Sequence, residues 1–316
     1  MAYTADFLEG HIVHVPTIHA IEEEKFRSMS FQMDDFYVDY INYSVFHNPF
    51  RKFPYYTASN IDGRLFKDIT RDELFSSGDT WKKDTRIPKE FQLGKELYGA
   101  SHSDFDRGHL TKRQDVQWGK SKHTAKKAAI ATFYYTNAIP QVDRLNRGVW
   151  KRIEDYILHH ETVKQSLKIS LITGPLLLDK DPKFVTKIGG ETVQIPTLFF
   201  KVVYYLREGA LYRTGFLTSQ KQLLYKRKIV EPLLRGDVLE SSDVFQNFKD
   251  AETYQVRVSF IEALGNLKFT EAKEVFIEDT PEALILDEID IQPESTEVMT
   301  RSRSGRRTKS KTNLKL

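Results

Sequence analysis

At 316 residues the chain is long enough for one large domain or two ordinary ones, and 40% hydrophobic residues, with 21 Phe and 15 Tyr, suffice for a sizeable core. A net charge of +3 and a pI of about 8.7 permit a polyanionic partner without demanding one, because basic charge acts only where it is concentrated. The absence of cysteine excludes disulfides, zinc–thiolate sites and cysteine nucleophiles.

The first ten residues lack both a basic n-region and an apolar h-region, and no apolar run approaches the ~20 residues of a spanning helix. The expectation is a soluble cytoplasmic protein that makes no use of a membrane. Residues 21–26 suit a short helix or a solvated arm. Residues 37–46 alternate and are rich in β-formers, and with 54–59 across the turn His47-Asn-Pro-Phe50 they predict a hairpin. From Arg64 to Gly99 the composition is charged and irregular, reading as a long surface loop with a helical turn or two. Such loops are uncommon unless they serve a site.

Residues 120–132 are Lys- and Ala-rich and permit a helix; 133–137 read as a brief strand ended by Pro140. Val149, Trp150, Ile153 and Ile157 are spaced as one helix face between 146 and about 160. A buried-type strand at 168–173 is expected to stop at Gly174-Pro175. Residues 199–206 and 211–217 make a second hairpin around Gly209. Residues 244–248 are short and irregular, 254–258 alternate, and Ser259 is placed to cap a helix over 260–264. Strands early and late, with helices between, favour a mixed α+β domain over a repeating βαβ fold. The composition then changes: 278–298 is acidic, and 301–316 has seven basic residues and no acidic one. The chain is therefore divided into a domain over 1–277 and a tail over 278–316 that buries little and is expected to be disordered.

The chemistry gathers in the middle. Asp106-Arg-Gly-His109 is followed by Thr136-Asn-Ala-Ile-Pro-Gln141, then by Leu145-Asn-Arg-Gly-Val-Trp150 and Glu154. Cleaving a phosphodiester requires a base that titrates near neutrality, a cation against the phosphate and, with a hard metal, oxygen ligands. His109 is the candidate base, Arg107 the phosphate clamp and Asn146 the metal ligand. Asn146 lies four residues before Trp150 and seven before Ile153, at the edge of the apolar stripe, where an amide is expensive to bury unless something binds it. Glu154 follows two turns later, within reach of metal-bound water. Each residue alone has an ordinary structural reading; the ordered combination carries the weight.

These motifs resemble the signature of the DNA/RNA non-specific endonucleases, the ββα-metal family, in its bacterial form. Weaker matches (Arg86-Ile-Pro88, Ile172-Thr-Gly-Pro175, Ile195 to Lys201) extend the resemblance over roughly 5–270. It implies a ββα-metal fold with a central, mostly antiparallel sheet flanked by helices, and a sugar-non-specific endonuclease acting on DNA and RNA. It implies His109 as general base, and Asn146 as the single direct ligand of Mg²⁺, with Mn²⁺ as substitute. Glu154 would hold metal waters, Asn137 would support the site by hydrogen bonding, and Arg107 would sit against phosphate while Asp106 braces the turn. Lys112 and Arg113, with Lys120, Lys122, Lys126 and Lys127, are candidates for the substrate track.

The family's upstream arginine, two residues before an aromatic, is replaced by Asp79 before Trp81, leaving Lys82, Lys83 or Arg86 for its role. Two other functions compete: a catalytically silent nucleic-acid-binding protein of the same fold, and a phosphodiesterase of small nucleotides. A nuclease without a leader further implies an inhibitor or activating protein, as in a defence or toxin-like effector, and homodimers occur in the family.

Overall fold

The structure, a computed structural model, describes residues 2–28, 31–76, 78, 80–232 and 252–284. Nine principal strands run in chain order as β1 (Tyr37–Tyr40), β2 (Tyr43–Asn48), β3 (Phe53–Asp62), β4 (Phe105–His109), β5 (Ala138–Val142), β6 (Lys168–Leu176), β7 (Leu198–Arg207), β8 (Ala210–Ser219) and β9 (Thr253–Val256). The main sheet has the order Glu282–Ala283, β9, β8, β7, β6, β3, β2, β1, all antiparallel, with Lys273–Glu274 pairing parallel to β8. β4 and β5 form a separate antiparallel ribbon, followed by the site helix over 144–163. The expected α+β architecture with a mostly antiparallel sheet is the one observed.

Alternation places the two faces of the sheet. Phe200, Val202 and Tyr204 of β7 point into one apolar core with Tyr43, Tyr56, Ile172 and Leu217. Val203 and Tyr205 point to the opposite face, where Ile153, Ile157 and Leu158 of the site helix pack. Leu145, Val149 and Trp150 of that helix pack instead with Phe105, Ile139 and Val142 of the ribbon and Phe199 of β7. One apolar stripe thus ties ribbon to sheet, and the helix's polar edge is left facing the end of β4. Backbone contact locks the far end of this helix: a Cβ on Gly63 would stand 2.1 Å from the Thr162 carbonyl oxygen.

Several local readings are corrected. The run 37–46 is two strands, because Asn42 takes φ 70° and turns the chain, making β1–β3 a three-stranded meander. Residues 135–137 form a 3₁₀ turn, and Pro140 lies inside β5, opposite Arg107. A two-stranded ribbon leaves one side of each strand unpaired, so proline's missing N–H is tolerated there. Gly174 and Pro175 continue β6; a Cβ on Gly174 would meet the Tyr55 carbonyl oxygen at 2.4 Å, so glycine serves a close strand approach. The late helix begins earlier than read, Val258–Gly265, with Arg257 rather than Ser259 at its start, and Glu274 accepts from the Val258 N–H at 3.0 Å. Glu282–Ala283 adds a strand to the sheet edge, so the folded unit passes the boundary at 277. The irregular stretch at 244–248 and the basic tail lie outside the described residues.

Other local readings of secondary structure match the structure. Helix α1 (Ala20–Ser28) covers 21–26, and 64–99 is a loop containing short 3₁₀ turns and α2 (Lys95–Tyr98). α3 (Lys122–Ala131) starts at Ser121, whose hydroxyl accepts from the Thr124 N–H at 3.1 Å. The hairpin β7–β8 turns on Glu208 and Gly209 at φ 52° and 75°. Among the described residues no helix is long and apolar enough to cross a membrane.

Candidate active site

His109 closes β4, and its position is fixed from three sides. Gly108 before it leaves room for the buried Gln141 side chain, whose Oε1 lies 2.1 Å from where a Cβ would stand. Trp150 of the site helix donates from Nε1 to the His109 carbonyl at 3.3 Å. Asn137, fully buried, holds the following loop: its amide donates to the Thr111 and Thr132 carbonyls at 2.9 and 3.0 Å, and its oxygen accepts from the Thr111 N–H at 2.9 Å. The imidazole packs edge-on against Phe133, centroids 4.9 Å apart, and against Trp81 at 4.6 Å. Its Nε2 is enclosed and has no hydrogen-bond partner among the described residues. Burial, then the Arg113 and Arg71 charges, push its pKa down to about 3, so the ring is neutral at physiological pH and can accept a proton.

Asn146 stands in the first turn of the site helix, before a break at Gly148 (φ −100°, ψ −108°). Its amide nitrogen donates to Asp106 at 3.0 Å, and a carboxylate can only accept, so this contact fixes which end of the amide is which. Asp106 also takes two bonds from Arg147, at 2.6 and 2.8 Å. Asp106 therefore orients Asn146, whose Oδ1 receives no hydrogen bond from the described residues.

Glu154 is 8% exposed and accepts from Lys201 at 3.2 Å. Lys201, 1% exposed on the central strand β7, also lies 4.2 Å from the Trp150 ring centre and 3.4 Å from the Thr173 hydroxyl. Burial raises the Glu154 pKa, while the charges of Lys201 and Lys112 oppose it. Asp115 behind it is pushed up to about 7 by burial and by the Glu154 charge. Lys112 and Lys151 both pair with Asp155.

These groups face one pocket of about 260 Å³, lined by His109, Asn146, Glu154, Lys112 and Arg113 together with Arg71, Gln114, Phe133, Arg147 and Lys151. Five of the expected site residues thus meet. Arg107 does not line this pocket: its guanidinium lies 6.0 Å from the Tyr98 and Tyr135 ring centres. Asn137 does not reach it either, since its amide is committed to backbone. The role left open at Asp79 falls outside the described residues. None of the three cations offered for it enters the pocket, as Lys82 lies over Tyr134, Lys83 pairs with Glu96, and Arg86 pairs with Asp84.

The long loop's contribution to the lining is instead Arg71, 5.3 Å from the Phe133 ring centre. No local pattern marks it within the long loop. Lys201 did carry a signal, as a lone lysine in an apolar strand, which needs a buried carboxylate beside it. Two residues of the suggested track, Lys122 and Lys126, share Glu73.

Among the described residues no group of three or more His, Asp or Glu is arranged to hold a metal. The donors that are present, one uncommitted amide oxygen and a carboxylate, fit a hard cation that keeps most of its water.

The family model for DNA/RNA non-specific endonucleases matches residues 24–276. An uncharacterised protein of Sinorhizobium fredii, y4fB, is 34% identical over 230 residues, covering 69% of this chain and 32% of that one. Human mitochondrial endonuclease G is 36% identical over 147 residues, covering 44% and 47%. Human mitochondrial nuclease EXOG is 25% identical over 225 residues, covering 68% and 54%. The chain thus spans between about a third and about half the length of these relatives. In fold it is similar to a chain of the solved EndoG/EndoGI complex, with a TM-score of 0.51 at 18% identity, covering 78% of this chain and 91% of that one.

Proposed function

The chain belongs to the DNA/RNA non-specific endonuclease family, and from that premise we propose that its cationic pocket hydrolyses phosphodiester bonds within DNA and RNA. The observation that carries this reading is the convergence of a neutral histidine, a carboxylate-oriented amide and a buried carboxylate with Arg71, Arg113 and Lys112 around one cavity. Cations in that number fit a phosphate and read no base, so sequence discrimination should be low.

In the proposed reaction His109 takes the proton of the attacking water. The phosphate charge, once bound, offsets Arg113 and Arg71 and makes the imidazole more basic than it is without substrate. Arg71 and Arg113 stabilise the charge that builds on the phosphoryl oxygens. Asn146 would hold Mg²⁺, or Mn²⁺ in its place, through Oδ1, and Glu154 would hold the ion's waters; the ion supplies charge neutralisation at the phosphate and at the leaving oxygen. Lys201 opposes the burial that raises the Glu154 pKa and aims its carboxylate, Asp106 keeps Asn146 turned, and Asn137 holds the His109 loop. Lys112 is tied to Asp155 and acts by position and charge.

The test is nicking of supercoiled plasmid, and digestion of a structured RNA, with and without Mg²⁺. Wild type should cut both only with the ion, and His109→Ala should lower the rate by about 10²–10⁴-fold. Equal, metal-independent absence of nicking would leave the silent binding protein as the better reading. A dinucleotide cut as fast as plasmid would favour the small-nucleotide phosphodiesterase. Control by an inhibitor is also proposed, since EndoG, whose fold this chain shares, was solved in an inhibitory complex with EndoGI. A homodimer is proposed only from the resemblance, and light scattering decides it.

A further inference from the structure

The long loop over 64–99 is held in a particular way beside residues 133–135, which lead into β5. Lys82 donates from its backbone N–H to the Phe133 carbonyl at 3.1 Å and accepts from the Tyr135 N–H at 2.9 Å. That pairing delivers Trp81 against His109, and α2 delivers Tyr98 further along. The rings then form a continuous row outside the catalytic pocket. His109 to Trp81 is 4.6 Å between centroids, Trp81 to Tyr135 is 5.8 Å, and Tyr135 to Tyr98 is 5.8 Å with planes 17° apart. Tyr135 is the buried layer, while Trp81 and Tyr98 each keep part of their surface exposed. Arg107, half-buried, lies across Tyr98 and Tyr135. Lys83, on the same loop, is paired with Glu96, its ammonium 2.6 Å from the carboxylate.

We propose that this row of Trp81, Tyr135 and Tyr98, with Arg107 laid across it, is a stacking subsite for one unpaired nucleobase next to the cleaved phosphodiester. The preferred substrate is then single-stranded or locally unpaired nucleic acid. The inference rests on the nuclease reading above and adds a substrate class to it.

Three physical points lead there. Every nucleobase offers a π-face, so a ring row binds without reading sequence or the 2′-hydroxyl, in keeping with a site that addresses phosphate. In a duplex those faces are covered by neighbouring bases, so only an unstacked nucleotide can use the row. The row also begins on His109 itself, so a base lying along it belongs to the nucleotide whose phosphate occupies the adjoining pocket. Arg107, which does not line that pocket, gains a role here: its guanidinium, 6.0 Å from the Tyr98 and Tyr135 ring centres, carries the charge that the flanking phosphate needs.

The test uses an end-labelled single-stranded oligodeoxynucleotide and the same strand with one abasic position scanned past the cut. For wild type, an abasic position beside the cut should raise KM by about tenfold, since losing one stacked base is worth roughly that factor or more. Tyr98→Phe, which keeps a ring, should preserve the difference between the two strands; Tyr98→Leu, which fills volume without a π-face, should abolish it. A wild type that does not distinguish the strands overturns the subsite, and so does Tyr98→Leu slowing both by the same factor, since the row would then be packing alone. If Tyr98→Leu melts below the assay temperature, the wild-type abasic scan decides by itself. Plasmid nicking with the same preparations separates the two claims. A wild type that nicks plasmid but ignores the abasic position overturns only the subsite; one that cuts nothing overturns the hydrolase reading as well.

Discussion

His109 and Glu154 are held in opposite electrostatic settings within one cavity. The histidine is held neutral by burial and, second to it, by the Arg113 and Arg71 charges, and the glutamate is buried but given a lysine. Removing Arg71 should therefore act twice. The rate should fall, by about 10²–10³ if Arg71 stabilises the phosphoryl charge as an oxyanion donor does. The His109 pKa should rise, because a neighbouring positive charge that disfavours imidazolium is gone. A base must be unprotonated to work, so the acid limb of kcat/KM for Arg71→Ala should move to higher pH, which a pH–rate profile on a short oligonucleotide measures. A limb that stays in place would separate Arg71 from the base. At Lys201 the expected effect is on stability as much as on rate. Lys201→Met leaves Glu154 buried without its cation, a loss of about 3–5 kcal/mol for a broken buried pair. Denaturant melts should register it, and the Mg²⁺ concentration for half-maximal activity should rise.

The elements that matter most are the β4–β5 ribbon and the site helix, and the joint between them is made by few residues. Trp150 bonds the end of β4, Asp106 grips the first turn of the helix, and Gly63 allows the helix's far end to lie on β3. Gly63→Ala would place a methyl 2.1 Å from the Thr162 carbonyl oxygen, a backbone atom that cannot swing aside. The helix must shift, at a cost of about 1–3 kcal/mol. Glu154 rides on the same helix, so activity should fall further than the melting temperature alone accounts for. Full activity in a folded Gly63→Ala protein would uncouple the helix end from the site.

Across the whole molecule, buried titrating groups pull stability in opposite directions with pH. His47 is 1% exposed and burial holds its pKa down at about 4. Between about 4 and the ordinary histidine value near 6.5, the unfolded chain binds the proton and the folded one does not. Stability from this group therefore rises with pH across that window and is lost as pH falls through it. Asp181 is the reverse: burial lifts it to about 6 despite Arg51 at 2.7 Å. Between about 3.9 and 6 the folded chain holds the proton, so this group's contribution falls as pH rises. Melting curves from pH 4 to 7 should show His47→Gln with a shallower rise than wild type and Asp181→Asn with a steeper one. Slopes changing in the opposite sense would contradict both assignments.

What the sequence determined by itself was a set of candidate groups and their order along the chain: no thiol, a histidine at the end of a strand, and an asparagine and glutamate on one helix edge. The strands were legible because alternation is local, and so was the helix, whose apolar stripe recurs every three to four residues. Tertiary structure decided which cations meet the histidine. Arg107 follows the family pattern but is drawn onto tyrosines, whereas Arg71, in an unpatterned loop, reaches the pocket. It also decided that Lys201 sits beneath Glu154, that Asn137 is consumed by backbone carbonyls, and that Pro140 and Pro175 continue strands instead of ending them. Periodicity reports which face a residue occupies, but the partner on that face is set by packing between segments far apart in sequence, and no short stretch encodes it.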